Sequence, residues 1–259
     1  MTPPIAPVEL CDDDALGYRR SRTAFAPGAG LALDEAYRHA HLPLVAPGHP
    51  DVIATRSGSA HVDGRHPPVF SLVLMVDAAA LRGSPAYQAL ERALRDSPLA
   101  GKIAWDVLDR RWDRVHATLC GHLGIGAPPA LAPLRAALRD TGPFAVELRG
   151  LFSGDVNRGR LYLRVYPERR GGANVVQAIQ RRLGRRETDL YLVGLFNLVD
   201  HLDAAEAAAL DALLAAWWDR PLLRFTVERL RLLGATDDLV LEPPTAVDLP
   251  LTAGATPGA

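Results

Sequence analysis

The chain has 259 residues, of which 48% are hydrophobic, so it can bury a sizeable core as one elaborated domain or two small ones. With 29 basic and 30 acidic residues the formal net charge is −1, which excludes an overall basic surface for duplex DNA. Two cysteines, Cys11 and Cys120, exclude a disulfide framework. The N-terminus lacks a signal-peptide pattern, and the most apolar stretch, 190–199, is about half a membrane-spanning length. We therefore expect a cytoplasmic protein without a membrane partner.

Local composition divides the chain into three parts. Residues 1–66 are rich in Pro-Gly and Ser-Gly loop signals and contain one predicted short helix, over 34–41. We expect this N-terminal extension to pack on the core. Residues 67–243 carry regular strand and helix signals and form the main domain. Residues 244–259 are rich in Pro, Ala, Gly and Thr and are predicted to be a flexible C-terminal tail.

Within the main domain, the order strand–helix–strand–helix–strand occurs twice. This duplication predicts an α+β fold of two lobes, in which two antiparallel sheets face each other across a central groove with helices outside. Ligand sites commonly lie in clefts of this kind. The predicted strands are 70–76, 115–120 and 144–152, then 160–166, 190–198 and 223–233, with 239–241 as a candidate edge strand. The predicted helices begin at Ser84-Pro85, Pro128-Pro129, Asn174 and the capping box 203–206.

The strand after residue 115 carries the most suggestive chemical pattern, His116-Ala117-Thr118. Alternate residues of a strand point to one side, so His116 and Thr118 would enter the same cleft. An imidazole can exchange a proton near neutral pH, and a hydroxyl can hydrogen-bond a phosphate oxygen. A structural histidine beside a strand threonine is the alternative interpretation.

Together these elements resemble the 2H phosphoesterase superfamily over residues 67–243. The resemblance rests on FSLVLMV, the arginine-flanked HATL strand, the duplicated second half and the late run FTVERLRLL. It implies two His-x-Thr/Ser motifs facing each other, one histidine activating water and the other protonating the leaving oxygen, with no metal or other cofactor. It further implies a substrate that is a small phosphodiester, a nucleotide or an RNA end, as in the 2′,3′-cyclic phosphodiesterases and RNA-ligase-like esterases.

The second motif is degenerate in this chain. His116 lies 12 residues before its helix start, and the same count back from Asp203 gives Tyr191, with Val193 at the threonine position. Tyr191 could donate a proton, bind phosphate or stack on a base, or it could be an ordinary half-buried tyrosine. The resemblance implies that Arg160 and Tyr162, on the predicted strand 160–166, lie near the groove and contact phosphate and base. A solvated sheet face is the alternative for that pair.

Five histidines in the N-terminal extension match no zinc pattern in their spacing, so we expect no metal. They are His39, His41, His49, His61 and His66. The sequence therefore favours a metal-independent 2H-like phosphoesterase with catalytic His116 and Thr118. Two alternatives stay open: a catalytically silent module that binds a nucleotide or RNA end, and a scaffold in which the extension rebuilds half of the site.

Overall fold

The computed structural model describes residues 8–252, in which an antiparallel sheet of eight strands forms the centre of the protein. This architecture confirms the predicted α+β class. The strand order is β10-β9-β1-β2-β7-β4-β3-β8, and β5 pairs separately with β6. The strands are β1 (Arg65–Met75), β2 (His116–Ile125), β3 (Phe144–Ser153), β4 (Arg160–Pro167), β5 (Arg169–Arg170), β6 (Ala173–Asn174), β7 (Leu192–Asn197), β8 (Pro221–Val227), β9 (Arg229–Asp237) and β10 (Thr245–Pro250).

The large sheet consists of two four-stranded halves, which we call half A (β10-β9-β1-β2) and half B (β7-β4-β3-β8). They meet at a narrow seam between β2 and β7, where Ala117 lies opposite Val193. Within each half the ladders are much longer; β1, for example, pairs with β2 from Val69 to Met75. The two predicted lobes are thus joined edge to edge through the seam. Each half also draws strands from both sequence repeats, because β3 joins half B and β9 returns to half A.

Three of the four helix starts predicted in the main domain are confirmed, whereas the helix predicted from Pro128-Pro129 begins only at Leu131, with Ala130 as its N-cap. The Ser84 side chain accepts from the backbone N–H of Tyr87, Asn174 accepts from that of Val176, and Asp203 opens a capping box. No helix within 8–252 is both long and apolar enough to cross a membrane. The helices are α1 (Glu35–Ala40), α2 (Leu42–Val45), α3 (Ala78–Gly83), α4 (Pro85–Arg95), α5 (Trp105–Asp109), α6 (Leu131–Leu138), α7 (Val175–Arg182) and α8 (Ala204–Trp217).

Two predictions at the C-terminal end need correction. The single predicted strand 223–233 is interrupted at Glu228, so that β8 lies at the edge of half B and β9 within half A. Residues 239–241 are not a strand, and the edge strand is β10, which pairs with β9 inside the predicted tail. Leu249 in β10 is buried, which explains why this segment is ordered despite its loop-like composition. The rest of the predicted tail, 253–259, lies outside the described residues.

Residues 8–64 pack on half B and the seam. The Tyr18 hydroxyl is completely buried and donates to the carbonyl of Val165 in β4 at 2.6 Å. Further along, the Tyr37 hydroxyl donates to the carbonyl of Leu198, just after β7, at 2.7 Å. These bonds join the N-terminal extension to the two strands of half B nearest the seam. Residues 1–7 of the predicted extension lie outside the described part.

Replacing Tyr18 by phenylalanine should lower the free energy of unfolding by about 1–3 kcal/mol, because the buried carbonyl of Val165 loses its donor. The matched control is Tyr87→Phe, since the Tyr87 hydroxyl is also buried but has no hydrogen-bond partner within residues 8–252. Urea unfolding of both variants measures the difference. Equal midpoints for Tyr18→Phe and wild type would show that the extension does not dock on half B in solution.

Candidate functional site

His116 is the first residue of β2 and lies at the seam, partly buried. Its Nδ1 lies 2.7 Å from the carbonyl oxygen of Arg114, an atom that can only accept, so Nδ1 carries the proton and Nε2 keeps its lone pair. Burial lowers the pKa of His116 to about 4; the bond to the Arg114 carbonyl opposes this, and the positive charges of Arg111 and Arg160 reinforce it. The imidazole is therefore uncharged at neutral pH and presents a proton acceptor.

Thr118 lies two residues further along β2 and is exposed. His116 and Thr118 line one small cavity, of about 100 Å³, on the face formed by β1, β2 and β9. The structure thus brings these two sequence-predicted residues to the same place. The other residues that line this cavity are His66, Val69, Ser71, Val73, Leu233, Ala235, Asp237, Asp238 and Val240.

Across the seam, β7 offers no counterpart to this motif. The antiparallel pair Ala117–Val193 sets the register, so His116 lies opposite Gly194 and Thr118 opposite Leu192. These two residues occupy the positions where a twofold-related His-x-Thr would face the first. The polar groups of the His-x-Thr motif are therefore present on half A and absent from the facing positions of half B.

The predicted contribution of Tyr191 is wrong for the same geometric reason. A shift of one residue along a strand moves a side chain to the other face, and Tyr191 shares the face of Val193 and the core. It is completely buried, and its hydroxyl donates to the carbonyl of Thr188 at 2.5 Å and accepts from Asn174. Tyr191 is a structural residue.

Arg160, predicted from the sequence, reaches the seam from β4. Its guanidinium lies over Gly194, where a Cβ atom would overlap it, and this glycine therefore makes room for the arginine. Its Nη1 donates to Nε2 of His41 at 3.0 Å and to the backbone carbonyl of Asp238 at 3.2 Å. Tyr162, also predicted, is buried with its ring centroid 5.6 Å from the guanidinium carbon of Arg160. The Tyr162 ring therefore packs against the guanidinium of Arg160.

Three arginines fix the loop that follows β9. Arg111, Arg114 and Arg160 donate to backbone carbonyls of residues 238–241 at 2.6–3.2 Å. We call these three residues the arginine clamp. Sequence reasoning missed Arg111, which is 1% exposed and also donates to the carbonyl of Gly194 at 2.8 Å. Burial lowers the pKa of Arg111 to about 9, so it stays positively charged at neutral pH.

His41, one of the five histidines of the N-terminal extension, also reaches the seam through its contact with Arg160. It is buried and stacks on Tyr37 with ring centroids 5.2 Å apart. Burial and the neighbouring Arg160 lower the pKa of His41 to about 3, so the ring is neutral. Its Nε2 accepts a hydrogen bond from the Arg160 guanidinium. The sequence holds only a weak signal for the position of His41, because that position depends on how the N-terminal extension docks at the seam.

Comparisons with known proteins give structural likeness only. No sequence model of a protein family and no curated protein matches the chain. Among solved structures, TT0787 of Thermus thermophilus is 15% identical, with 72% of this chain and 100% of that chain covered and a TM-score of 0.39. The conserved protein of unknown function ATU0111 of Agrobacterium tumefaciens C58 is 13% identical (79% and 95% covered, TM-score 0.42). E. coli LigT in its apo form is 16% identical (72% and 96% covered, TM-score 0.37).

The electrostatic description of His116 predicts its titration. We expect the His116 imidazole to protonate with a midpoint near 4, measured by the pH dependence of its ring carbon shifts in ¹³C-labelled protein. The His116→Gln variant identifies the resonance. In Arg160→Met the midpoint should rise, because one positive neighbour is removed. A midpoint at the value of a histidine peptide, unchanged by Arg160→Met, would contradict the burial and the proximity of the arginine.

Proposed function

We propose that this protein is a 2H-like phosphoesterase that hydrolyses a phosphodiester with a single motif histidine, His116. The observation that carries the proposal is the state of His116: an uncharged imidazole with Nε2 unprotonated, in one cavity with the Thr118 hydroxyl. The charges of Arg111 and Arg160 lie close enough to lower its pKa. A proton acceptor, a hydroxyl donor and positive charge are the groups that phosphodiester hydrolysis requires.

In the proposed reaction, Nε2 of His116 takes a proton from water while the water oxygen forms a bond to phosphorus. The bond from phosphorus to the leaving oxygen breaks, and that oxygen takes its proton from solvent, because Leu192 and Gly194 hold no acid opposite His116. Thr118 donates to a phosphate oxygen, and Arg160 turns from its backbone carbonyl acceptor to the developing negative charge. The step is proposed to run on these side chains alone.

The size of the cavity supports the proposed substrate class. A volume of about 100 Å³ accommodates a phosphoryl group, while the remainder of the substrate lies outside. A small or RNA-terminal 2′,3′-cyclic phosphodiester fits this arrangement, because its phosphate is accessible and its ring strain favours opening. We propose such a substrate in the cytoplasm, and the chain's net charge of −1 argues against duplex DNA.

Hydrolysis should be slow, and strongly reduced in His116→Ala. One positioned proton-transfer group contributes about 10²–10⁴-fold, so we expect a loss of kcat in that range. The assay is turnover of 2′,3′-cyclic mononucleotides in the presence of EDTA, so that metal ions are excluded. Tyr191→Phe is the matched control and should keep the wild-type kcat, since that hydroxyl faces the core. Equal turnover by wild type and His116→Ala would rule out the proposed base.

The pH profile of kcat/KM tests the same base independently. A base must be unprotonated to act, so the rate should be constant through neutral pH and fall only as the pH drops towards about 4, the pKa of His116. Replacing Arg160 by methionine should move this acidic limb to higher pH. If kcat/KM of the wild type instead falls near the ordinary pKa of histidine, the base is a group other than His116.

A catalytically silent binding module is the second candidate, and the residues opposite His116 favour it. Leu192 and Gly194 supply no second acid or base, whereas the arginines still suit an anion. In that case isothermal titration with a 2′,3′-cyclic nucleotide would show binding that survives His116→Ala and weakens in Arg160→Met, without turnover in any variant.

A further inference from the structure

Two histidines and a carboxylate, His61, His66 and Asp238, lie close together, and two of them, His66 and Asp238, line the His116 cavity. Nε2 of His66 lies 3.4 Å from Oδ1 of Asp238, and Nε2 of His61 lies 3.8 Å from Oδ2 of the same carboxylate. The three ligand atoms lie within 4.8 Å of one another. From these residues we propose a binding site for a divalent transition-metal ion of the Zn²⁺ or Fe²⁺ class.

A tight hairpin creates the histidine pair. Asp63 and Gly64 both have positive φ values (50° and 75°), the combination of a two-residue type I′ turn. Val62 pairs with Arg65 across this turn, so the next residues on each side, His61 and His66, are cross-strand neighbours. Their ring centroids lie 4.8 Å apart. The sequence His-Val-Asp-Gly-Arg-His thus brings two imidazoles to one side of a hairpin.

Hydrogen bonds fix the tautomer of His66. Its Nδ1 lies 2.8 Å from the carbonyl oxygen of Pro67, which can only accept, so Nδ1 carries the proton. In the neutral ring Nε2 is therefore the unprotonated atom that faces Asp238, and the hydrogen bond to this carboxylate raises the pKa of His66, so a metal ion there would take the place of a proton. A histidine that binds metal through Nε2 usually donates its Nδ1–H to a backbone carbonyl, a carboxylate or water.

A relay of three residues fixes His61 in the same way. Nδ1 of His39 lies 3.0 Å from the carbonyl of Ile53 and must donate, so Nε2 of the neutral His39 accepts the hydroxyl proton of Ser59 at 2.8 Å. The Ser59 oxygen is then left to accept from Nδ1 of His61 at 3.2 Å. Nε2 of His61 is unprotonated and buried, and nothing in residues 8–252 hydrogen-bonds to it.

When both rings are neutral, two lone pairs face the Asp238 carboxylate, and a shared metal ion, like a proton, offsets their repulsion. In a tetrahedral site with bonds of about 2.0–2.2 Å, ligand atoms lie roughly 3.3–3.6 Å apart, close to the 3.4 Å and 3.8 Å between Asp238 and the two histidines. Asp238 is 41% exposed, so water can fill the remaining coordination positions. Two histidines and one carboxylate with open positions are typical of sites for Fe²⁺ or Zn²⁺.

A second cluster, His49, His201 and Asp200, has ligand atoms equally close together but the opposite tautomers. Nδ1 of His201 accepts from the backbone N–H of Leu33, and its Nε2 therefore donates to a carboxylate. Nδ1 of His49 likewise accepts a backbone N–H, and its Nε2 donates to Asp200. The Lys102 ammonium already lies 2.6 Å from Asp200. This cluster is satisfied without a metal and provides the matched control.

The test uses the full-length protein after chelator treatment, titrated with Co²⁺ by visible absorbance and with Zn²⁺ by calorimetry. Wild type should bind one ion, with a Co²⁺ spectrum of low coordination number. His66→Gln and Asp238→Asn should abolish this spectrum, and Ser59→Ala should weaken affinity about 10–100-fold, as expected for loss of a residue that orients a ligand. The control His49→Gln should bind like wild type, and thermal melting checks that each variant is folded.

The proposal is overturned if wild type binds no more tightly than the His61→Gln/His66→Gln double variant. It is equally overturned if Co²⁺ binding persists in Asp238→Asn or is lost in His49→Gln. Because the readout is metal binding in the absence of substrate, its failure leaves the role of His116 in hydrolysis unaffected.

Discussion

The buried guanidinium of Arg111 is the constraint on which the geometry of the candidate site depends. It donates to Gly194 in half B and to Leu239, in the loop that follows β9 of half A. The backbone pairing of the two halves at the seam is narrow, so these two bonds hold together elements that the sheet itself connects weakly. A hydrogen bond to a charged group is worth about 1.5–3 kcal/mol, so the arginine secures both positions against separation.

The clamp determines what surrounds His116 as well as where it lies. Burial already lowers the pKa of the His116 imidazole, and the positive charges of Arg111 and Arg160 lower it further. His116 is therefore a neutral base at physiological pH. The same charges favour an anion in the cavity. An anion bound there would stabilise the protonated imidazole and so raise the pKa of His116 while the anion is bound. The base would therefore be stronger in the complex than in the free protein.

Local patterns predicted much of the fold, because caps and periodicity act over a few residues. Ser84, Asn174 and Asp203 begin helices as expected, and the α+β class follows from the alternation of elements. The break at Glu228 could not be foreseen, since periodicity is the same on both sides of it. Nothing local indicates that β8 and β9 belong to different halves of the sheet.

The site was predictable only where a single strand defines it. His116 and Thr118 lie on one face because strand alternation requires it, and the structure places both in one cavity. The second side of the site was predicted by counting back from a helix start to Tyr191, three residues from Gly194, which lies opposite His116. A shift by an odd number of residues exchanges the two faces of a strand. Tyr191 therefore fell in the core. The pairing of Ala117 with Val193, a contact between distant parts of the chain, was needed to set the register.

The N-terminal extension supplies groups at the place where half B lacks a motif. His41 accepts a hydrogen bond from Arg160 at the seam, and the hairpin of His61 and His66 reaches Asp238, which lines the His116 cavity. None of these positions follows from the duplicated strands, since a duplication would place equivalent residues on β7. A site that combines one strand motif with loop histidines need not be symmetric. The proposed chemistry therefore depends on the docking of residues 8–66 as much as on the sheet.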